Sequence, residues 1–158
     1  MRVNNDCIIF LYTENCFLRT QSASKSKKKE VKTDIETLEK ARLISRAALD
    51  KKAEDIVIMD MRAVSNIADY FVVCSASSSK RVQAISEGIE DALLGKGIDY
   101  WHIEGRREAL WVLIDYGDVI AHIFHENVRG FYNLERLWQD APKEYFVAPC
   151  ESNRSKKK

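Results

Sequence analysis

Residues 110–138 read LWVLIDYGDVIAHIFHENVRGFYNLERLW, and their first half decides the fold. Two strand-like runs, 110–115 and 118–124, flank Tyr116-Gly117. Gly117 supplies the positive φ that a two-residue hairpin turn requires, although Tyr116 is not the favoured residue beside it. That register pairs Asp115 with Asp118, Ile114 with Val119 and Trp111 with His122. One face then holds Leu110, Val112, Ile114, Val119, Ala121 and Ile123, all apolar, and is expected to be core. The other holds Trp111, Leu113, Asp115, Asp118, Ile120 and His122, half of it polar and carrying an indole. A three-residue loop, Asp115-Tyr116-Gly117, would slip the register and scatter the polar groups over both faces, so the pattern favours the two-residue turn.

Outward from the hairpin, residues 128–132 and 134–138 read as short helices in which Phe131, Leu134, Leu137 and Trp138 have the spacing of a core-facing stripe. Pro142 and Pro149 then mark an irregular tail. Upstream, Thr33 and Glu36 have capping-box spacing, and Ile35, Leu38, Ala41, Ile44 and Ala48 recur at helical intervals up to about Leu49. Residues 56–59 and 70–74 are apolar runs suited to buried strands, with a polar loop or single helical turn at 65–69 between them. Serines at 75 and 77–79 lead into a helix whose inner face is Val82, Ile85, Ile89 and Leu93, and they are read as caps for its free amides rather than as an anion site. Gly95 and Gly97 stop that helix, and a third strand lies near 100–103. Strands alternating with a helix and closing in a hairpin define an α/β single domain with a mixed β-sheet flanked by helices.

A chain of 158 residues supports one domain with a real core. No apolar run approaches the roughly 20 residues that span a bilayer. Cys7, Cys16, Cys74 and Cys150 form no Cys-x-x-Cys pair, so reduced thiols are expected rather than zinc or a disulfide framework. The net charge of +1 conceals a segregation: residues 34–150 carry 14 Lys and Arg against 20 Asp and Glu, a net of −6, so the tails hold the positive excess. An acidic body suits a basic protein better than a phosphate backbone. Residues 1–32 read as a disordered or lineage-specific extension with a lysine-rich linker, 33–140 as the domain, and 141–158 as a basic tail. The tails read as solvated segments that offer at most a weak tether toward nucleic acid. Asp6 and Glu14 argue against an organelle transit peptide, and a cytoplasmic location is expected.

Trp111, Asp115-Tyr116-Gly117-Asp118, His122-Ile123-Phe124, Arg129, Phe131-Tyr132 and Leu134-Glu135-Arg136-Leu137-Trp138 together resemble the signature of the ribosomal silencing factor family, also called RsfS or Iojap. The likeness extends upstream through Lys52-Ala53-Glu54-Asp55-Ile56, Ser65-Asn66-Ile67-Ala68-Asp69-Tyr70-Phe71 and Glu104-Gly105. It implies a nucleotidyltransferase-like fold without a catalytic site. It also implies binding to the large ribosomal subunit through ribosomal protein L fourteen, which blocks association with the small subunit and represses translation when nutrients are scarce, and a homodimer off the ribosome. By that resemblance Trp111, Asp115, Asp118, Arg129, Tyr132 and Glu135 are candidate partner contacts. The long first segment, the basic C-terminal tail and Arg106-Arg107 depart from the family pattern.

The enzymatic alternative is metal-dependent nucleotidyl transfer, with Asp115 and Asp118 side by side near the serine-rich turn. No Asp-x-Asp sits on a strand, however, and aspartates at turn ends ordinarily bond local amides. His122 and His125 lack a third metal ligand, and Ser79 or Cys74 lacks a base to activate it. No cofactor, metal or catalytic residue is expected, and Trp111 is the natural interface anchor, with its truncation expected to leave the melt nearly unchanged.

Overall fold

The computed structural model describes residues 36–146. In chain order these form α1 (Thr37–Asp50), β1 (Glu54–Asp60), β2 (Tyr70–Ala76), α2 (Ser79–Leu94), β3 (His102–Glu104), β4 (Trp111–Asp115), β5 (Val119–His125), α3 (Glu126–Tyr132), α4 (Leu134–Leu137) and β6 (Lys143–Phe146). The six strands make one mixed sheet in the order β3-β4-β5-β2-β1-β6. β2 and β5 run parallel at its centre, and every other neighbouring pair is antiparallel.

Position in the sheet explains the sequence of each strand. β2 is buried along its whole length because both of its faces are covered, which is why it reads as a continuous apolar run instead of an alternating one. On one face, Ala41, Ile44 and Ala48 of α1 and Val82, Ile85, Ile89 and Leu93 of α2 pack on Ile58, Val72, Cys74, Val112, Ile114 and Ile123. Ser78 caps α2, its hydroxyl accepting from the Arg81 amide at 3.3 Å. α1 begins at Thr37 with Glu36 at the cap position and no side-chain cap bond, so Glu36 does not stand one turn inside the helix as a capping box from Thr33 requires. Thr33 itself lies outside the described residues.

The hairpin register differs from the expected one. Asp115 pairs with Ile120, Ile114 with Ala121, Leu113 with His122 and Trp111 with Phe124, while the Tyr116 amide donates to the Val119 carbonyl at 2.9 Å. The two turn residues are therefore Gly117 and Asp118. The partner has moved by two positions, and because side chains alternate with period two, each residue stays on the face assigned to it. Gly117 is favoured by its φ of +94°, and a Cβ there would also stand in tight contact with the Trp101 ring at 3.1 Å.

Two further expectations are corrected. Residues 143–146 are not irregular tail but the edge strand β6, antiparallel to β1, so the domain extends past residue 140. Phe131 is not on a core-facing stripe: it is 65% exposed, whereas Leu134 is buried. Asn133 separates α3 from α4 in the left-handed region at φ +42°, and this break resets the helical phase on which a single stripe depends.

Candidate interaction face

The sheet face opposite α1 and α2 carries Phe71, His122 and Phe124, all fully buried, with Trp111 half-buried at its margin. This face is more apolar and better covered than the sequence suggests. Trp111 opens β4 and stacks on Phe124 across the strand pair, centroids 4.9 Å apart and planes 23° apart. Tyr132, at the end of α3, lies against the indole at 4.7 Å, and Phe131 meets Tyr132 edge-on at 5.2 Å. The Trp111 Nε1–H donates to His122 Nδ1 at 3.3 Å, which assigns the other ring nitrogen of a neutral imidazole as the one carrying hydrogen. Burial pushes the His122 pKa down to about 3, so the imidazole is neutral at physiological pH.

Upstream geometry also holds Trp111 in place. Gly105, between β3 and β4, has φ +76°, and a Cβ there would lie 1.9 Å from the Trp111 carbonyl oxygen. Arg106 in the same connection pairs with Glu90 of α2, which ties the β3–β4 connection to that helix.

The six candidate residues divide into three groups. Trp111 and Tyr132 form the aromatic platform just described. Arg129 and Glu135 form a clamp beside it: Arg129 donates to Glu135 Oε1 through Nε at 3.0 Å and Nη2 at 2.5 Å, and through Nη1 to the buried Ser75 hydroxyl at 2.8 Å. Their side chains are only 14% and 23% exposed, so the pair fastens α3 and α4 to β2 more than it meets solvent. Asp115 ends β4, four residues and about 13 Å from Trp111, and Asp118 lies in the turn beyond it. Asp115 Oδ1 accepts from the Gly117 amide at 2.6 Å, as an aspartate at a turn does. Asp118 accepts from Lys40 Nζ at 2.5 and 2.8 Å and from the Thr37 hydroxyl at 3.3 Å, and it ties the first turn of α1 to the hairpin. Its backbone carbonyl also accepts from the Asp69 amide at 2.8 Å.

This placement removes the constellation on which nucleotidyl transfer would rest. β2 and β5 are parallel with Tyr70 beside Val119 and Ala76 beside His125, so the serine-rich turn and Asp118 lie at opposite ends of the sheet, roughly 20 Å apart. His125 is occupied as the cap of α3, its Nδ1 accepting from the Asn127 amide at 3.3 Å. Cys74 is buried and its thiol is pushed up to about 12, the opposite of an activated nucleophile. Among the described residues no group of three His, Cys, Asp or Glu side chains is placed to hold a metal ion, and no helix is long and apolar enough to cross a membrane.

Fold and site together define a small α/β domain on a mixed sheet that presents an aromatic platform at one end of its central hairpin. The chain belongs to the family described as "Ribosomal silencing factor during starvation", whose model matches residues 34–158. It is 48% identical over 101 residues to the ribosomal silencing factor RsfS of Bacillus subtilis, covering 64% of this chain and 86% of that protein. It is 32% identical over 112 residues to the chloroplastic protein Iojap of Zea mays, covering 71% of this chain and 49% of that one. A crystal structure of a Bacillus halodurans protein, 40% identical, superposes with a TM-score of 0.62 over 69% of this chain and 99% of its own.

Proposed function

We propose that this protein binds the large ribosomal subunit through ribosomal protein L fourteen and, by occupying that surface, keeps the small subunit from joining, repressing translation when nutrients are limiting. The observation that carries the reading is the platform of Trp111 and Tyr132 on a domain whose residues 34–150 have a net charge of −6. An aromatic centre offers large, rigid contact area at low entropic cost, and an acidic surround favours a basic partner over bare phosphate. Inhibition by occlusion needs no chemistry, and the carboxylates that an enzymatic reading would enlist are engaged with Lys40, Thr37 and the Gly117 amide.

The test is direct titration of the full chain with isolated ribosomal protein L fourteen. Saturable binding that weakens with added salt is expected, and absence of binding at micromolar concentrations overturns the proposal. Nucleotide turnover with magnesium or manganese that disappears in Asp118→Ala would instead support the enzymatic alternative.

A further inference from the structure

Phe131 is the ring that the platform leaves in water. At 65% exposure it stands at the end of a run of aromatic contacts, resting edge-on against Tyr132, which lies on Trp111, which stacks on the fully buried Phe124. The orientation of α3 is fixed by its other residues. Arg129 is bonded to Glu135 and Ser75, and the residues next to it, Gly130 and Phe131, are exposed. A Cβ built on Gly130 meets nothing within 4 Å, so open ground lies beside the exposed ring. The arrangement is a rigid aromatic base, half inside the protein, carrying one ring outside it.

We propose that Phe131 is the anchor that enters the partner, with Tyr132 and Trp111 as the base that positions it. This rests on the reading above, that the platform end of the hairpin meets a basic ribosomal protein. The occupant that fits is an apolar depression bordered by Lys or Arg, because their aliphatic stems cover an aromatic face while their charges meet the acidic surface. The net charge of −6 spread over residues 34–150 and the exposed Glu126 at the head of the same helix supply the complementary charge, against the exposed Arg136 of α4. The anchor is thereby separated from the residue that the sequence favours. Trp111 is half-buried and shared between fold and face, whereas Phe131 has little to do with the fold.

The experiment titrates purified ribosomal protein L fourteen into the full chain, wild type and two variants, with thermal melting of each. Phe131→Ala is expected to weaken binding by about tenfold or more with an unchanged melt. Gly130→Trp, whose Cβ meets nothing within 4 Å, is expected to weaken binding comparably, and it decides the matter if Phe131→Ala does not fold. Wild-type binding with both variants within about twofold overturns the anchor and leaves the proposed function standing. So does weakened binding that appears only together with a lowered melt in both variants. A wild-type chain that does not bind overturns the functional reading and this inference with it.

Discussion

Trp111 is stacked on Phe124 and bonded to His122, and it cannot be removed without disturbing the face that it helps to build. The sequence expects Trp111→Ala to melt almost normally. The structure instead gives a loss of about 2 kcal/mol, below the range for a fully buried aromatic because the indole is only half-buried. Chemical denaturation measures it directly, and Trp111→Phe should recover most of it. His122 adds a dependence on pH. Its folded pKa is depressed to about 3 from 6.5, so the unfolded chain binds the proton more tightly. The contribution is complete above pH 6.5 and is lost as pH falls toward 3, on the order of 3 kcal/mol by pH 4. Denaturant midpoints at pH 7, 5 and 4 should therefore fall more steeply in wild type than in His122→Phe, and parallel declines would contradict the assignment. The presence of His122 on the second face is legible in the alternation of the hairpin. Its burial is not, since that depends on α3, which follows β5 directly, folding back over the sheet, and on Phe71 of the sequence-distant β2 packing edge-on against the ring at 4.9 Å.

The elements show why faces are easier to read than registers. Alternation fixes the apolar face of the hairpin, and a shift of two positions leaves it intact, so the pattern cannot distinguish a turn at Tyr116-Gly117 from one at Gly117-Asp118. The difference matters for Asp118, which the observed turn places against Lys40 and Thr37 of α1. Asp118→Lys would set two cations together and free the first turn of α1. The informative substitution is Asp118→Asn. It should cost about 1 kcal/mol, the scale of a partly exposed charged hydrogen bond. Amide exchange should quicken in the first turn of α1, with affinity for ribosomal protein L fourteen unchanged. Weaker affinity with normal exchange would return Asp118 to the interface. β6 escapes sequence reading for a different reason: four residues after Pro142, with Tyr145 largely exposed, carry little pattern, and the strand is specified by the β1 edge that it covers.

At the scale of the molecule, β6 sets where the chain can be cut. Removal of residues 151–158 leaves the described sheet whole, whereas removal from residue 141 onward strips Lys143–Phe146 from β1 and bares a strand edge. The shorter truncation should melt like the full chain, and the longer should melt earlier and aggregate on storage. Light scattering and thermal melts of the two distinguish them. Deleting residues 1–32 and 151–158 together should preserve binding to the large subunit while flattening its salt dependence, because the removed segments carry the positive charge available for phosphate contacts. The central claim is that the domain occupies the large subunit and thereby denies it to the small one. It is tested most directly on a sucrose gradient, with purified full-chain protein incubated with separated large subunits before small subunits are added. The protein is predicted to sediment with the large subunit and to diminish the peak of joined ribosomes, and a protein that stays at the top of the gradient while the subunits join normally would contradict the account.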